Sequence, residues 1–404
     1  MPNEQAVINM VTRKSSMILD NLLVLTKTVD RQYDKSFAVT GAKIGDTLRI
    51  RLPERFLVTS GPSASFQPAT EKTVNAAITT QHNIAVDFSS AELTLNVDDM
   101  YDRVIKPAMS QLSATLDNSI AVAAQKAFWL SVGTPGSTPS SSAVVIAANQ
   151  KLTEAAAPLD SRVLIVGPDA TSGLLLSMAN QFNPQSKVSR QFLSGELENN
   201  LLGFQGVFQT QNLSNHTTGN WGTAISVHPS TVISEGMSQI VFGFSGSNAT
   251  WKKGDVFTIA NVNAANPQTR ESTGSVQQFV VTEDTLPATT TVTVKVAPAI
   301  FSSSQQYCTV DNLPASGAVV TMFGTPNAKS SQNLFYEKSA IAFVTADFSS
   351  DTPGAISSTV RGDNVGMRMT RQYVFNNDRI GTRIDVLHGT SVVRPEIGGR
   401  LWGK

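Results

Sequence analysis

A single cysteine, Cys308, stands among 404 residues, so the chain has no internal disulfide and cannot build a thiolate metal cluster. Charge is also scarce. Charged residues make up 15% of the chain, and they cancel at 31 Lys and Arg against 31 Asp and Glu. A protein dedicated to nucleic acid carries a basic excess, so DNA wrapping by the whole chain is not expected, while a local basic face stays open. No apolar run approaches the ~20 residues of a membrane span. The N-terminus does not read as a signal peptide. Arg13 and Lys14 fall inside the apolar pattern, and Asp20 and Asn21 break the run from Met17 to Leu25. A cytosolic protein with no membrane partner is expected, which makes the sequons at Asn212 and Asn248 chance matches.

Hydropathy patterning is strong throughout. Val7, Val11, Ile18, Leu22, Leu25 and Val29 recur at helical spacing, predicting an amphipathic helix over about the first thirty residues. It is equally a core helix or an arm that packs on a neighbouring chain. In "GAKIGDTLRIRLPERF" a Gly45-Asp46 turn precedes Leu48, Ile50 and Leu52, which alternate with Arg49 and Arg51 as in a half-exposed strand. A polar stretch runs from Ser60 to His82. Alternation returns with Ile84, Val86 and Phe88, then Leu93, Leu95 and Val97. Two strand regions joined by a polar tip form an extended hairpin, which needs support from elsewhere because a lone hairpin is marginal.

Asp98-Asp99 can cap the next helix, patterned from Val104 through Ala127 to about Leu130 and restarted or kinked by Pro107. At ~1.5 Å per residue, roughly thirty residues span about 40 Å. "SVGTPGSTPSSS" ends it. Helices in "AVVIAANQKLTEAAAP" and, capped by Asp169 or Thr171, in "DATSGLLLSMANQF" flank a short buried strand from Val163 to Val166. A strand around Phe204 to Phe208 follows. From about Ile225 to Thr325 the chain turns to Thr, Ser, Val and Gly, with short strands at the spacing of a small barrel or sandwich. "TWKKGDVFTIANV" is one of them: Lys252, Lys253, Gly254 and Asp255 make a turn that starts a strand, the device also seen at Lys43, Gly45 and Asp46. "NLFYEKSAIAFVTADF" resumes the earlier style. Two long alternating runs close the chain, joined by a hairpin turn at "NNDR".

Nothing in these patterns is a catalytic set. His82, His216, His228 and His388 do not pair at metal-ligand spacing and read as surface or strand histidines. GxSxG, P-loop, GxGxxG and HExxH motifs are absent. Asp98-Asp99 reads as a cap, Glu283-Asp284 as a turn, and Arg361-Gly362-Asp363 as a turn and not an adhesion ligand. No enzyme, cofactor or metal is expected.

The order of parts resembles the major capsid (coat) protein of tailed double-stranded DNA bacteriophages, in the subgroup of short-tailed enteric phages that carries an inserted β-barrel. The stretches that carry the likeness are "GAKIGDTLRIRLP", "NVDDMYDRVIKPAMSQLSATLDNSIAVAAQKAF", "WKKGDVFTIANV" and "GTRIDVLHGTSVVRPEIGGRL", the last with Arg394, Pro395 and Glu396. Each is short; the element order spans nearly the whole chain.

The resemblance implies an α+β chain with the Hong Kong ninety-seven capsid fold plus an all-β insertion. Its parts would be an N-terminal arm (1–36), an extended β loop (37–98), a peripheral domain with its spine helix (99–142) and an axial domain (143–224). The inserted barrel (225–325), the axial return (326–360) and peripheral C-terminal strands (361–404) would follow. Copies would form hexamers and pentamers with a scaffolding protein and a portal protein, in a procapsid that expands as DNA is packaged. A decoration protein is a further candidate partner, and the location would be the virion capsid, assembled in the host bacterial cytoplasm. Assembly residues would include the two turns and Arg394 to Glu396. The locally basic C-terminal part offers Arg368, Arg371, Arg379 and Arg383 to packaged DNA or a neighbouring subunit, unless these are simply solvated strand faces. Some proteins of this fold cross-link a loop lysine to the next subunit. Lys43 and Lys72 lie in the right region, but no motif identifies a partner. Two other readings stand beside this one: an encapsulin-like nanocompartment shell, and a β-rich binding or adhesion protein using Trp251, Phe257 and Tyr307.

Overall fold

A computed structural model describes residues 2–33, 47–58, 61–62, 66, 71–89, 101–178, 202–348, 354–362, 365–374, 376 and 378–403. Lys43, Gly45, Asp46, the Asp98-Asp99 cap and Asp363 lie outside the described residues. The chain divides into two compact units: Met1–Arg51 with Thr73–Ile120 and Ile341–Val393, and Leu52–Lys72 with Ala121–Ala340 and Arg394–Lys404.

The first unit is centred on the long strand Arg379–Val392, which pairs antiparallel with Ile341–Ala346, Gly366–Val374 and Thr80–Ser89. Asp30–Tyr33 adds a parallel strand beside Ile341–Ala346, and Ile356–Arg361 pairs with Gly366–Val374. Support for the extended hairpin therefore comes through its return strand. The hairpin's own pairing is Thr47–Arg51 with Thr73–Ala77. That second strand falls within the stretch expected to be a polar tip. Val74 and Ala76 do alternate, but alanine gives so small an apolar signal that the sequence pattern does not mark the strand.

The helix Pro2–Leu22 packs on the strands Ile356–Arg361 and Gly366–Val374 of its own chain. Its buried face is Ile8, Thr12, Ser15, Ser16 and Leu19, while Leu22 is exposed and Val11 and Ile18 are half-buried. The apolar stripe read from the sequence is thus rotated by about one residue. The polar members of the buried face are tolerated because they bond within the helix: Thr12 Oγ1 donates to the Ile8 carbonyl at 2.7 Å and Ser15 Oγ to the Val11 carbonyl at 2.9 Å. Against this helix sits Gly362, where a Cβ would collide with Asp20 and Ser16.

The long helix starts at Lys106, directly before Pro107, and ends at Ala127. Tyr101–Ile105 before it is a wider π-type turn. Proline lacks the N–H that would continue the ladder, so the helix restarts at it, shorter than the expected thirty residues. The helix Pro168–Met178 begins with its proline, one residue before the expected Asp169 cap.

In the second unit a five-stranded sheet runs in the order Leu130–Val132, Gly398–Leu401, Asn333–Glu337, Arg162–Val166, Gly206–Gln209. Its central strands Arg162–Val166 and Asn333–Glu337 are buried at every position. Arg162 itself is fully buried. It donates to the Pro158 and Ala157 carbonyls and to Thr153 Oγ1, closing off the end of the helix Ser142–Glu154. Desolvation pulls its pKa down, and Glu337 opposes that.

The β-rich stretch forms a separate six-stranded sheet of the strands Thr223–Val227, Met237–Ser245, Val256–Ala265, Ser272–Val281, Thr291–Ile300 and Val320–Met322. It nearly closes into a barrel. Ser226 bridges to Val319, and the Val227 N–H donates to the Ala318 carbonyl at 2.9 Å. Inside lie Trp221, Phe242, Trp251, Phe257 and Phe279, with Phe242 and Phe257 edge to face at 5.1 Å. The chain enters and leaves this module through a two-stranded ribbon, Asn215–Thr217 against Lys329–Ser331, with His216 opposite Ser330.

Candidate functional site

The turn that starts the strand Val256–Ala265 is held from within. Gly254 takes φ +101°, a conformation that favours glycine, and its N–H donates to the Val281 carbonyl at 2.8 Å. The Asp255 N–H donates to the Lys252 carbonyl at 2.9 Å, and the Lys252 N–H donates back to Asp255 Oδ2 at 2.9 Å. Asp255 is only 1% exposed. Its carboxylate also receives the Trp221 indole N–H at 2.9 Å, the Gly219 N–H at 3.1 Å and His216 Nε2 at 2.8 Å.

One buried carboxylate therefore gathers the ribbon through which the chain enters the module (His216), the segment that follows it (Gly219, Trp221) and the turn that starts an inner strand. Each donor satisfies a lone pair that burial would otherwise leave costly. Arg400, fully buried on the strand Gly398–Leu401, donates to the Phe128 carbonyl at 3.2 Å. Burial pulls its guanidinium down to about 10, and the negative charge of Asp255 pushes the other way. Lys252 and Lys253 point outward, exposed, from the same turn. Asp255 is legible in the sequence as a turn residue; its partners His216, Gly219 and Trp221 are not. They lie 34 to 39 residues away in the chain, and only the fold brings them together.

Pro395–Ile397 is a 3-10 turn with Arg394 as its N-cap, and the Arg394 N–H donates to the Ala340 carbonyl at 3.1 Å. Arg394 and Arg55 both lie near Glu396, at 3.4 and 3.9 Å, as part-exposed pairs of small worth. The Lys72 ammonium sits over the Tyr307 ring at 3.3 Å, and desolvation followed by the charge of Arg55 lowers its pKa.

The C-terminal arginines meet carboxylates of their own chain. Arg368 Nη2 and Arg383 Nε donate to the fully buried Asp385 at 3.1 and 2.7 Å, and Gln81 Nε2 donates to it at 2.9 Å. Asp385 thus ties three strands together. Arg379 pairs with Asp87 at the surface and holds that carboxyl below its usual range. Arg371 is half-buried and has no carboxylate partner among the described residues.

Asp255 and Asp385 thus spend their buried carboxylates on joining segments of this α+β chain. The residue pattern that matches it is that of the P22 coat protein, gene protein 5, over residues 2–403, and the chain belongs to that family. It is a major capsid protein: it forms the viral shell from copies of itself and is not an enzyme. No individually curated protein matches the sequence. Among solved structures, the chain is similar to one from Mycobacterium phage Che8, at 14% identity over 94% of this chain and 90% of that chain, TM-score 0.46. It is similar too to a capsid structure of the cyanophage P-SCSP1u, at 12% identity over 95% and 88%, TM-score 0.43. A third, from the mature capsid of bacteriophage PhiM1, shows 10% identity over 93% and 86%, TM-score 0.43.

Proposed function

We propose that this coat protein assembles into hexamers and pentamers of an icosahedral shell around double-stranded DNA, through a scaffold-dependent procapsid that expands on packaging. The observation that carries the reading is the family match over residues 2–403. Assembly in the host cytoplasm, a portal protein and a decoration protein belong to the same reading. Within the subunit, residues 37–98 act as an extended loop reaching a neighbour, 99–142 and 361–404 as the peripheral domain, and 143–224 with 326–360 as the axial domain. Residues 225–325 act as the inserted domain, which stabilises the subunit and offers outward surface. Its aromatic core and its paired entry and exit strands support local folding. Arg371 is the arginine best suited to packaged DNA or a neighbour, since Arg368, Arg379 and Arg383 spend charge on carboxylates of their own chain.

Negative-stain microscopy of the protein expressed with and without its scaffolding protein tests the assembly reading. Uniform closed shells in the presence of scaffold are expected; persistent monomers under both conditions would overturn it. Replacing Arg371 with glutamine tests the DNA-facing role. Unchanged assembly and unchanged DNA content would end that part of the reading.

A further inference from the structure

The return strand Thr80–Ser89 lies at the edge of the first unit's sheet. Among the described residues its one strand partner is Arg379–Val392. Along it His82, Ile84 and Val86 are half-buried, while Gln81, Asn83, Ala85 and Asp87 are exposed. Three side-chain contacts add to its backbone ladder. Gln81 Nε2 donates to Asp385 Oδ1 at 2.9 Å, Arg379 pairs with Asp87, and the His82 ring lies 5.0 Å from the ring of His388. The first two are on one face of the sheet and the third is on the other, since side chains alternate along a strand.

The face around His388 is short of hydrogen-bond partners. His388 is buried, and neither Nδ1 nor Nε2 has a partner among the described residues. Thr390 Oγ1, two residues on and on the same face, is also buried and unpartnered. A charge on this imidazole would meet neither an acceptor nor a carboxylate. The register sets what faces it. Thr345 and Thr80 stand directly opposite on the flanking strands, and Phe343 stacks on the ring at 5.4 Å. Val386 on its own strand and Met367 opposite Val386 continue the face. His82 is the one titratable side chain in this set. Arg371 shares the face but stands opposite Thr382, six residues along the strand. Arg31, which is exposed, and Tyr33 stand one strand further out, opposite Phe343 and Thr345. Asp385, with Arg368 and Arg383, belongs to the other face.

A proton on His388 therefore needs water, and lifting the edge strand admits water at the least cost. Ile341–Ala346 and Gly366–Val374, on the other side of the central strand, are each paired along both edges and would take more of the sheet with them. The contact between Arg379 and Asp87 does not respond first. Arg379 holds that carboxyl below its usual range, so the pair outlasts the histidine pair on acidification. We propose that the His82–His388 pair is an acid-sensitive latch, which holds Thr80–Ser89 on the central strand and releases it locally as pH falls. Burial, reinforced by His82, pushes the His388 pKa from 6.5 down to about 4. The hold is therefore complete above about pH 6.5 and is lost progressively as pH falls towards 4. In a shell the same release frees residues that the proposed function places in the extended loop. That consequence rests on that reading; the latch rests on the first unit alone.

Hydrogen exchange of the unassembled full-length subunit at pH 7 and pH 4.5, read by mass spectrometry and corrected for the intrinsic pH dependence of exchange, tests the latch. The opening constant of Thr80–Ser89 is expected to rise roughly 50-fold between the two conditions. Ile341–Ala346 and Gly366–Val374 are expected to keep their protection. His388→Phe is expected to hold Thr80–Ser89 closed at both pH values. His82→Phe, which leaves one imidazole, is expected to shrink the rise without abolishing it. Equal loss of protection across all three strands overturns the inference, as does unchanged protection of Thr80–Ser89 at pH 4.5. So does a folded His388→Phe subunit that opens as readily as the parent at pH 4.5. If either variant misfolds, the pattern in the parent protein still decides, because only a local latch opens one strand ahead of its sheet. Shell assembly is not read in this experiment, so its failure leaves the proposed function standing.

Discussion

The indole N–H of Trp221 donates to the carboxylate of Asp255 at 2.9 Å, inside a module whose core both residues help to close. Asp255 accepts from three further groups, so its removal would strand several buried donors at once. Asp255→Ala is expected to cost on the order of 3 to 5 kcal/mol, because it leaves the His216, Gly219 and Trp221 donors without water or partner. Asp255→Asn keeps the shape but turns one acceptor into a donor, and should lose most of the same amount. Urea melts of the unassembled subunit, followed by tryptophan fluorescence, measure both. A loss under about 1 kcal/mol in either variant would mean that the carboxylate does not hold these segments together.

Gly254 tests the turn separately from the charge. Its φ of +101° is costly for any residue with a Cβ, and a Cβ built there lies 3.3 Å from His216 Cε1. Gly254→Ala is expected to destabilise the subunit by about 1 to 3 kcal/mol through strain. The Asp255 hydrogen bonds would be strained but not deleted. Double-mutant cycles with His216→Ala should show coupling, since the added methyl meets the imidazole directly. Additive losses would argue that the strain is absorbed elsewhere.

The sequence exposes some of this joint and hides the rest. Alternation at Val256, Phe257 and Ile259 announces a strand, and Lys252 to Asp255 announce its turn, because both signals are local. The destination of the Asp255 side chain is not local. The same contrast holds in the first unit. The strand Arg379–Val392 is legible from its own residues, but its pairing with Thr80–Ser89 is not, because that register depends on residues some three hundred positions apart. The N-terminal helix shows a third limit. Thr12 and Ser15 lie on its buried face, beside Ser16, with their hydroxyls bonded to their own helix, so hydrophobicity alone points to the wrong stripe.

Asp117 on the long helix makes an equivalent joint in the first unit. It accepts the Val24 N–H at 2.9 Å, the Thr26 N–H at 3.1 Å and the Thr26 hydroxyl at 3.0 Å, fixing the short helix Leu25–Thr28 that follows the N-terminal helix. Burial raises the Asp117 pKa, with the Val24 and Thr26 hydrogen bonds opposing. Because the folded state holds this proton more tightly than the unfolded chain does, its contribution is greatest below the usual carboxylate range. That contribution declines as pH rises through the raised value. Asp117→Ala should cost about 2 to 4 kcal/mol. It should also accelerate hydrogen exchange at the Val24 and Thr26 amides ahead of the rest of the subunit. Uniform acceleration across the chain would point to global unfolding and not to loss of this local anchor.

His388 gives the acid response an address. His388 is 2% exposed, its ring stacked at 5.4 Å on Phe343 and tilted at 5.0 Å against His82, and neither ring nitrogen has a hydrogen-bond partner among the described residues. Burial, reinforced by the neighbouring His82, pushes its pKa from 6.5 down to about 4. The folded state therefore binds this proton less readily than the unfolded chain does. Stability from the neutral ring is complete above about pH 6.5 and is lost progressively as pH falls towards 4. The full swing amounts to about 3 kcal/mol. His388→Phe preserves a flat ring between His82 and Phe343 and removes the titration. Urea melts of the two subunits at pH 7 and pH 4.5 should show the variant losing less stability on acidification, by about 2 kcal/mol. The Asp311 carboxyl, which the Asn263 and Ser272 hydrogen bonds hold below its usual range, titrates in both proteins, so the difference between them isolates His388. Equal acid losses in the two proteins would show that the buried imidazole is not the source.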